Sequence, residues 1–367
     1  MEVSQKHSSV DTSTQTVVIP FGLTYNPMKK LALINFEKNP DSVYLGLEPQ
    51  YFDDEIYGKG FRILAYRHDH YVDVYNDVNL NDVENESFDV VGKGLGEQKK
   101  VVIENTFLHK KDGCTTISFK FNDKAGRPII VNITEHSKKK SKGMNLLAPV
   151  GSSTENPSYL PLFFLYDFDF IRKHKTTIDI TIDGKKIKAD NFPFPLPKDL
   201  QWRTFCRYSM DCQIIEFANA TEGVLDECTT DSTGLVARGP LEYQYEKDIL
   251  KNIELKQTNH RFLIEFGRGF PNIKSLKDQS EYKDTFKMSP DKSMGFVSGE
   301  YSVTREANEV KIELIPSGGW TPVSNSLLTK ILFTKKSVFC SWPKTYTYVQ
   351  KVDITTLHSK SYWERMK

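Results

Sequence analysis

Short runs of alternating apolar and polar residues, each closed by a turn signal, recur along most of this chain. A period of two puts successive side chains on opposite faces of a strand, so such runs build sheets. FRILAY (Phe61 to Tyr66) and YVDVY (Tyr71 to Tyr75) flank RHDH. VVIENTFL and TTISFKF flank KKDG, and PIIVNIT follows the turn NDKAGR. TTIDITI meets KKIKA across Asp183-Gly184, a strong hairpin signal. In the second half, LEYQYEKDI, HRFLIEFG, GEYSVTRE, EVKIELI and TYTYVQKVDIT read the same way, with a hairpin turn near Ala307-Asn308. The pattern predicts a mainly β protein with antiparallel strands in barrels or sandwiches.

One stretch breaks the alternation. In SNSLLTKILFTKKSVF, Leu327, Leu328, Ile331, Leu332 and Lys335 follow helical spacing. Ser324, Asn325 and Ser326 are candidate N-caps, and Pro343 lies just beyond the end. An amphipathic helix packed on a sheet is expected near residues 326–339.

At 367 residues, two domains are expected. Residues 1–15 read as a disordered tail and 16–220 as an N-terminal β domain with a long loop at 136–161. The small, polar, aperiodic stretch 221–240 reads as a linker, and 241–367 as a C-terminal β domain. The arrangement resembles tandem lipocalin-like barrels, at the level of architecture alone, so it carries no functional residue over. Gly60–Tyr75 and Gly299–Leu314 share a faint repeat of strand, arginine, turn and strand, with Arg67 and Arg305 at like places.

Charge and cysteine usage narrow the function classes. Lys and Arg number 49 against 48 Asp and Glu, so no long-range field steers the chain to nucleic acid or an anionic membrane. Cys114, Cys206, Cys212, Cys228 and Cys340 are odd in number and form no CxxC, which points to reduced thiols. No signal-peptide core precedes the strands, and no apolar run reaches the roughly 20 residues of a membrane helix. A cytoplasmic protein without a membrane span is expected.

Familiar catalytic motifs do not fit. Gly92, Gly94 and Gly96 precede a strand, whereas phosphate loops need a helix N-terminus, so a flexible hairpin loop is expected. His68 and His70 fall in a turn, HSKKKSK (His136 to Lys142) reads as a solvated loop, and no GxSxG elbow occurs. No cofactor or metal is implied.

The strongest lead is LFFLYDFDFIR, Leu162 to Arg172. Strict alternation sets Phe164, Tyr166, Phe168 and Phe170 on one face and Leu165, Asp167, Asp169 and Ile171 on the other. The two aspartates would then be neighbours with Cα atoms roughly 6.5–7 Å apart. At an effective dielectric of 20 they would repel by about 2 kcal/mol. In QWRTFCRYSMD, Arg203 and Arg207 share a face and supply matching cations. The acidic face then points to solvent, lines a barrel or cleft with the arginines, or forms a buried ion network without a ligand. Trp320 in PSGGWTP, with Trp342 and Tyr346 in SWPKTYTY, is a candidate for lining a pocket mouth or plugging a barrel end.

Three functions follow. The first is a β-barrel-type module that binds an apolar small molecule through Arg203, Arg207, Trp320, Trp342 and Tyr346. The alternative is a non-hydrolytic enzyme, a cyclase, isomerase or hydro-lyase, with Asp167 or Asp169 as acid or base. The last is a structural or protein-interaction module.

Overall fold

The computed structural model describes residues 14–82, 93–136, 143–149, 157–192, 202–256, 260–324 and 327–366. Outside that set lie the expected tail up to residue 13, Gly92, Ser137 to Lys142 of the basic run, residues 150–156 of the long loop, and the cap candidates Asn325 and Ser326. The fold is mainly β, with a curled half-barrel sheet, further sheets and a few short helices. Backbone contacts divide the chain into two compact units. The N-terminal unit comprises Leu23–Phe217 and Pro322–Trp342, and the C-terminal unit Met1–Gly22, Ala218–Thr321 and Pro343–Lys367.

The isoleucine-rich runs build the smaller sheet of the N-terminal unit. Alternation in PIIVNIT sets Ile129, Val131 and Ile133 on one face. Their partners are Ile182, Ile180 and Ile178 on one side and Phe121, Phe119 and Ile117 on the other. Asp183 and Gly184 close the hairpin at φ 53° and 72°, the left-handed pair that a two-residue turn needs. This five-stranded sheet covers a ten-stranded one. Running across the larger sheet are Leu23–Asn26, Asp211–Phe217, Leu160–Arg172, Arg203–Ser209, Met28–Asn35, Tyr44–Asp54, Gly58–Arg67, Tyr71–Asp77 and Gly94–Val101, with Met144–Leu147 paired onto Leu160–Arg172. Between the sheets, Ile34, Leu47, Ile63, Cys206 and Tyr208 meet the isoleucine face in one core. Each fully buried aliphatic or aromatic side chain there contributes about 1.5–3 kcal/mol.

Gly94 and Gly96 lie in the edge strand Gly94–Val101, not in a hairpin loop. That strand pairs parallel to Tyr71–Asp77, and a parallel pair has no tight turn to join it. His68 and His70 occupy the exposed turn between Gly58–Arg67 and Tyr71–Asp77, with His70 at φ 65°.

In the C-terminal unit the strands run in a meander. Leu235–Arg238, Leu241–Glu246, Ile249–Leu255, Phe262–Phe270, Glu281–Ser289, Phe296–Glu306, Glu309–Thr321, Tyr346–Asp353 and His358–Arg365 each pair with the next, and Glu222–Val224 extends the far edge. Residues 221–240, read from sequence as a linker, thus carry strands Glu222–Val224, Glu227–Thr229 and Leu235–Arg238. Each holds only three or four residues, too few to show a period.

Two short helices, Leu327–Phe333 and Lys336–Phe339, stand where a single one was expected. The break falls at Thr334, whose N–H and Oγ1 both turn back to the Ile331 carbonyl. A threonine hydroxyl bonded this way competes with the helical ladder.

Candidate functional site

Strand Leu160–Arg172 pairs along its length with residues 203–217, whose strand is interrupted only at Met210. Leu160 to Tyr166 pair with Phe217 to Asp211, and Asp169, Phe170 and Arg172 pair with Tyr208, Arg207 and Arg203. Asp167 sits between these two stretches with φ 47°. The ladder to Met144–Leu147 shifts register across it. Relative to Met144–Leu147 one extra residue bulges out at this point, while the register with residues 203–217 is the same on both sides of it.

The two aspartates sit in different surroundings. Asp167 is exposed, and its carboxylate accepts from Lys110 Nζ and from the Gly143 N–H, each at 3.1 Å. Asp169 is buried, 3.4 Å from Arg203 Nη2, and accepts from the Phe170 N–H at 2.8 Å. Arg203 also donates through Nη1 to the Phe170 carbonyl at 2.8 Å. Leu162, Phe164, Leu165, Tyr166 and Phe168 are all buried, so the strand has neither a solvent-facing acidic side nor one aromatic side.

Arg207 does not join this set. Its neighbours Cys206 and Tyr208 enter the core between the two sheets, so Arg207 projects from the reverse face of the larger sheet. Glu48 and Tyr66 meet it there. Glu48 accepts from the Tyr66 hydroxyl and from Gln50 Nε2, the latter at 2.9 Å. Register places apolar residues beside them, since Glu48 pairs with Leu64, Leu64 with Val74 and Tyr66 with Val72. Leu64, Val72 and Val74 form a small buried cluster against which Tyr66 packs.

The electrostatics of this set are lopsided. Burial pushes the Glu48 carboxyl up from its ordinary value, against the opposing pull of Tyr66, Gln50 and Arg207. Burial, then the Glu48 charge, pushes the Tyr66 phenol well up. Burial pulls the Arg207 guanidinium down, although Glu48 and Tyr66 favour its charge. Cys212 lies within the field of Glu48, and burial pushes its thiol up to about 12. The Arg207 guanidinium stands 4.1 Å from the Phe205 ring centroid. Its Nη1 is buried and has no hydrogen-bond acceptor among the described residues.

The aromatic candidates lie elsewhere. Trp320 is buried in the C-terminal unit, donating from Nε1 to the Met294 carbonyl at 3.1 Å. Tyr346 belongs to the same unit and is fully buried. Trp342 is buried and belongs to the N-terminal unit. Sequence reasoning missed Glu48 and Tyr66. Their signal is present in YLGLEPQY, where Glu48 alternates with Leu47, and in FRILAY, an apolar run typical of a strand buried on both faces.

No protein-family model, curated protein or solved structure matches the chain.

Proposed function

We propose that this protein is a binding module whose N-terminal unit holds a small apolar molecule bearing an acidic group. Arg207 takes the acidic group, and Leu64, Val72 and Val74 border the apolar body. The observation that carries this reading is the buried Arg207 Nη1, which has no acceptor among the described residues. Burying a charge costs several kcal/mol unless hydrogen bonds and a counter-charge offset it. Glu48 offsets it only weakly, because burial favours the neutral carboxyl and the Tyr66 and Gln50 donors occupy its oxygens. A ligand carboxylate would fill the gap with a charge-assisted, two-point hydrogen bond. In this reading the unit serves as a lipocalin-like container rather than an enzyme, since the acid–base candidates Asp167 and Asp169 are committed to Lys110 and Arg203. No disulfide is recorded among the described residues, which supports a reducing, cytoplasmic setting. The charge balance of +1 supports a small-molecule partner over nucleic acid.

Fluorescence titration with cis-parinaric acid and its methyl ester tests the reading. The acid should bind saturably, and Arg207→Gln should weaken it at least tenfold, about 1.4 kcal/mol. The ester should bind the wild type as weakly as the acid binds the variant. An acid that fails to bind, or that binds both proteins equally, rules out Arg207 as the anchor.

A further inference from the structure

We propose that the C-terminal sheet carries a separate binding site for a neutral polyhydroxylated molecule, a saccharide chain. A cavity of about 630 Å³ opens there, lined by residues from five neighbouring strands. That volume lies in the range of about 300–1,000 Å³ typical of small-molecule sites.

The register builds the trough. Asn252, Glu265, Lys287 and Ser298 form one cross-strand row. Thr285 and Glu300 form a second row on the same face. Between them runs the row of Phe266, Phe286 and Gly299, whose phenylalanines turn inward and are buried. The ladder shifts register between Ser298 and Glu300. A side chain at Gly299 would start 2.2 Å from the Ile315 carbonyl oxygen, and one at Gly318 would start 2.0 Å from Ser298 Oγ. Gly318 keeps the trough side open beside Ser298, and Gly299 makes room beneath it for the buried Phe286 ring.

The lining selects the ligand. The lining sets Glu265 and Glu300 against Lys251 and Lys287, so it builds no anion site. Lys251 is already engaged by Glu246 at 3.2 Å and by the Arg268 carbonyl at 2.7 Å. Carboxylates, an amide and hydroxyls together offer both donors and acceptors, as sugar hydroxyls do. Lipids find few apolar walls here. An extended peptide is also disfavoured, because the backbone groups beneath the trough are spent in the strand ladders and offer no free sheet edge.

Saturation-transfer NMR on the full chain with maltohexaose, cellohexaose and chitohexaose tests the site. At least one should bind saturably below about 10 mM. Thr285→Trp and Ser317→Trp, both at exposed positions, should abolish that signal without lowering Tm. Arg207→Gln should leave it unchanged, so this site stands or falls apart from the acidic-ligand reading. The proposal is overturned if none of the three sugars binds, if binding persists in both tryptophan variants, or if a glycine-serine hexapeptide occupies the trough instead.

Discussion

Asp167 occupies the left-handed backbone region inside a strand, where most side chains are strained. Aspartate tolerates the position because its polar groups bond locally. Its N–H donates to Asn145 Oδ1 at 3.1 Å while its carboxylate takes Gly143 and Lys110. Asp167→Ala keeps the strain and the N–H bond to Asn145 but loses the two carboxylate bonds, so a loss of about 1–3 kcal/mol is expected. Asp167→Gly loses the same two bonds but removes the steric penalty, and should be less damaging by about 1 kcal/mol. Urea unfolding of the two variants gives the comparison, and equal losses would mean that the bulge flattens when the aspartate goes. The sequence marked this strand, its aromatic content and the Arg203–Asp169 proximity. It did not mark the bulge, because a strand with one extra residue spells much like a regular one. Register separates Arg207 from Asp169, since Asp169 pairs with Tyr208 on the core face and Arg207 pairs with Phe170.

The turn between strands Cys114–Asn122 and Pro128–Glu135 clips the two sheets of the N-terminal unit together. Arg127 reaches Asp41 at 2.9 Å and Asp123 at 2.8 Å, while Lys124 reaches the buried Asp73 at 3.0 Å. Arg67 also pairs with Asp73, at 3.1 Å, so the cluster is charge-balanced. Removing one partner from such a buried set leaves a carboxylate uncompensated, and Arg127→Ala is expected to cost about 3 kcal/mol in urea unfolding. Burial opposes ionisation of Asp41, but the Val43 N–H and Arg127 outweigh it and hold the carboxyl below its ordinary value. A folded pKa below the unfolded one gives stability that is full above the unfolded pKa of about 4 and fades as pH falls through the folded value. The stability gap between wild type and Asp41→Asn should therefore stay constant from neutral pH to about pH 4 and close below it. A gap that widens in acid would reverse the sign and remove Asp41 from the clip. NDKAGR announced the turn through its Asn, Asp and Gly. Its partners were hidden, since Asp41 and Asp73 lie 86 and 51 residues away from the side chains they bind.

The chain does not finish one unit before starting the other. The described residues 14–22 fold with the C-terminal strands, and Pro322–Trp342 return to the N-terminal unit. Local alternation reports how a segment folds, not which sheet receives it, so the sequence assigns residues 16–22 to the N-terminal domain. In the structure Thr16–Val18 pairs with Glu227–Thr229, and Phe21 enters the aromatic core of the C-terminal unit. Its ring centroid lies 5.1 Å from that of Phe270, 6.0 Å from Tyr348 and 6.1 Å from Phe266. Much of the aromatic content that suggested a ligand cavity is spent here on packing. Phe21→Ala would open a void among rings held by strands far away in sequence, at a cost of about 3–5 kcal/mol. Phe21→Leu refills much of the volume and should recover at least half of that loss. Trp320 and Trp363 are both buried in this unit, so tryptophan fluorescence during urea unfolding, with Trp202 and Trp342 replaced by Phe, reports on it. If the alanine variant unfolds at the wild-type midpoint, the segment lies on the unit without supporting it. If instead the midpoint falls as expected, residues 241–367 do not make a complete folding unit, because a side chain from the opposite end of the chain completes their core.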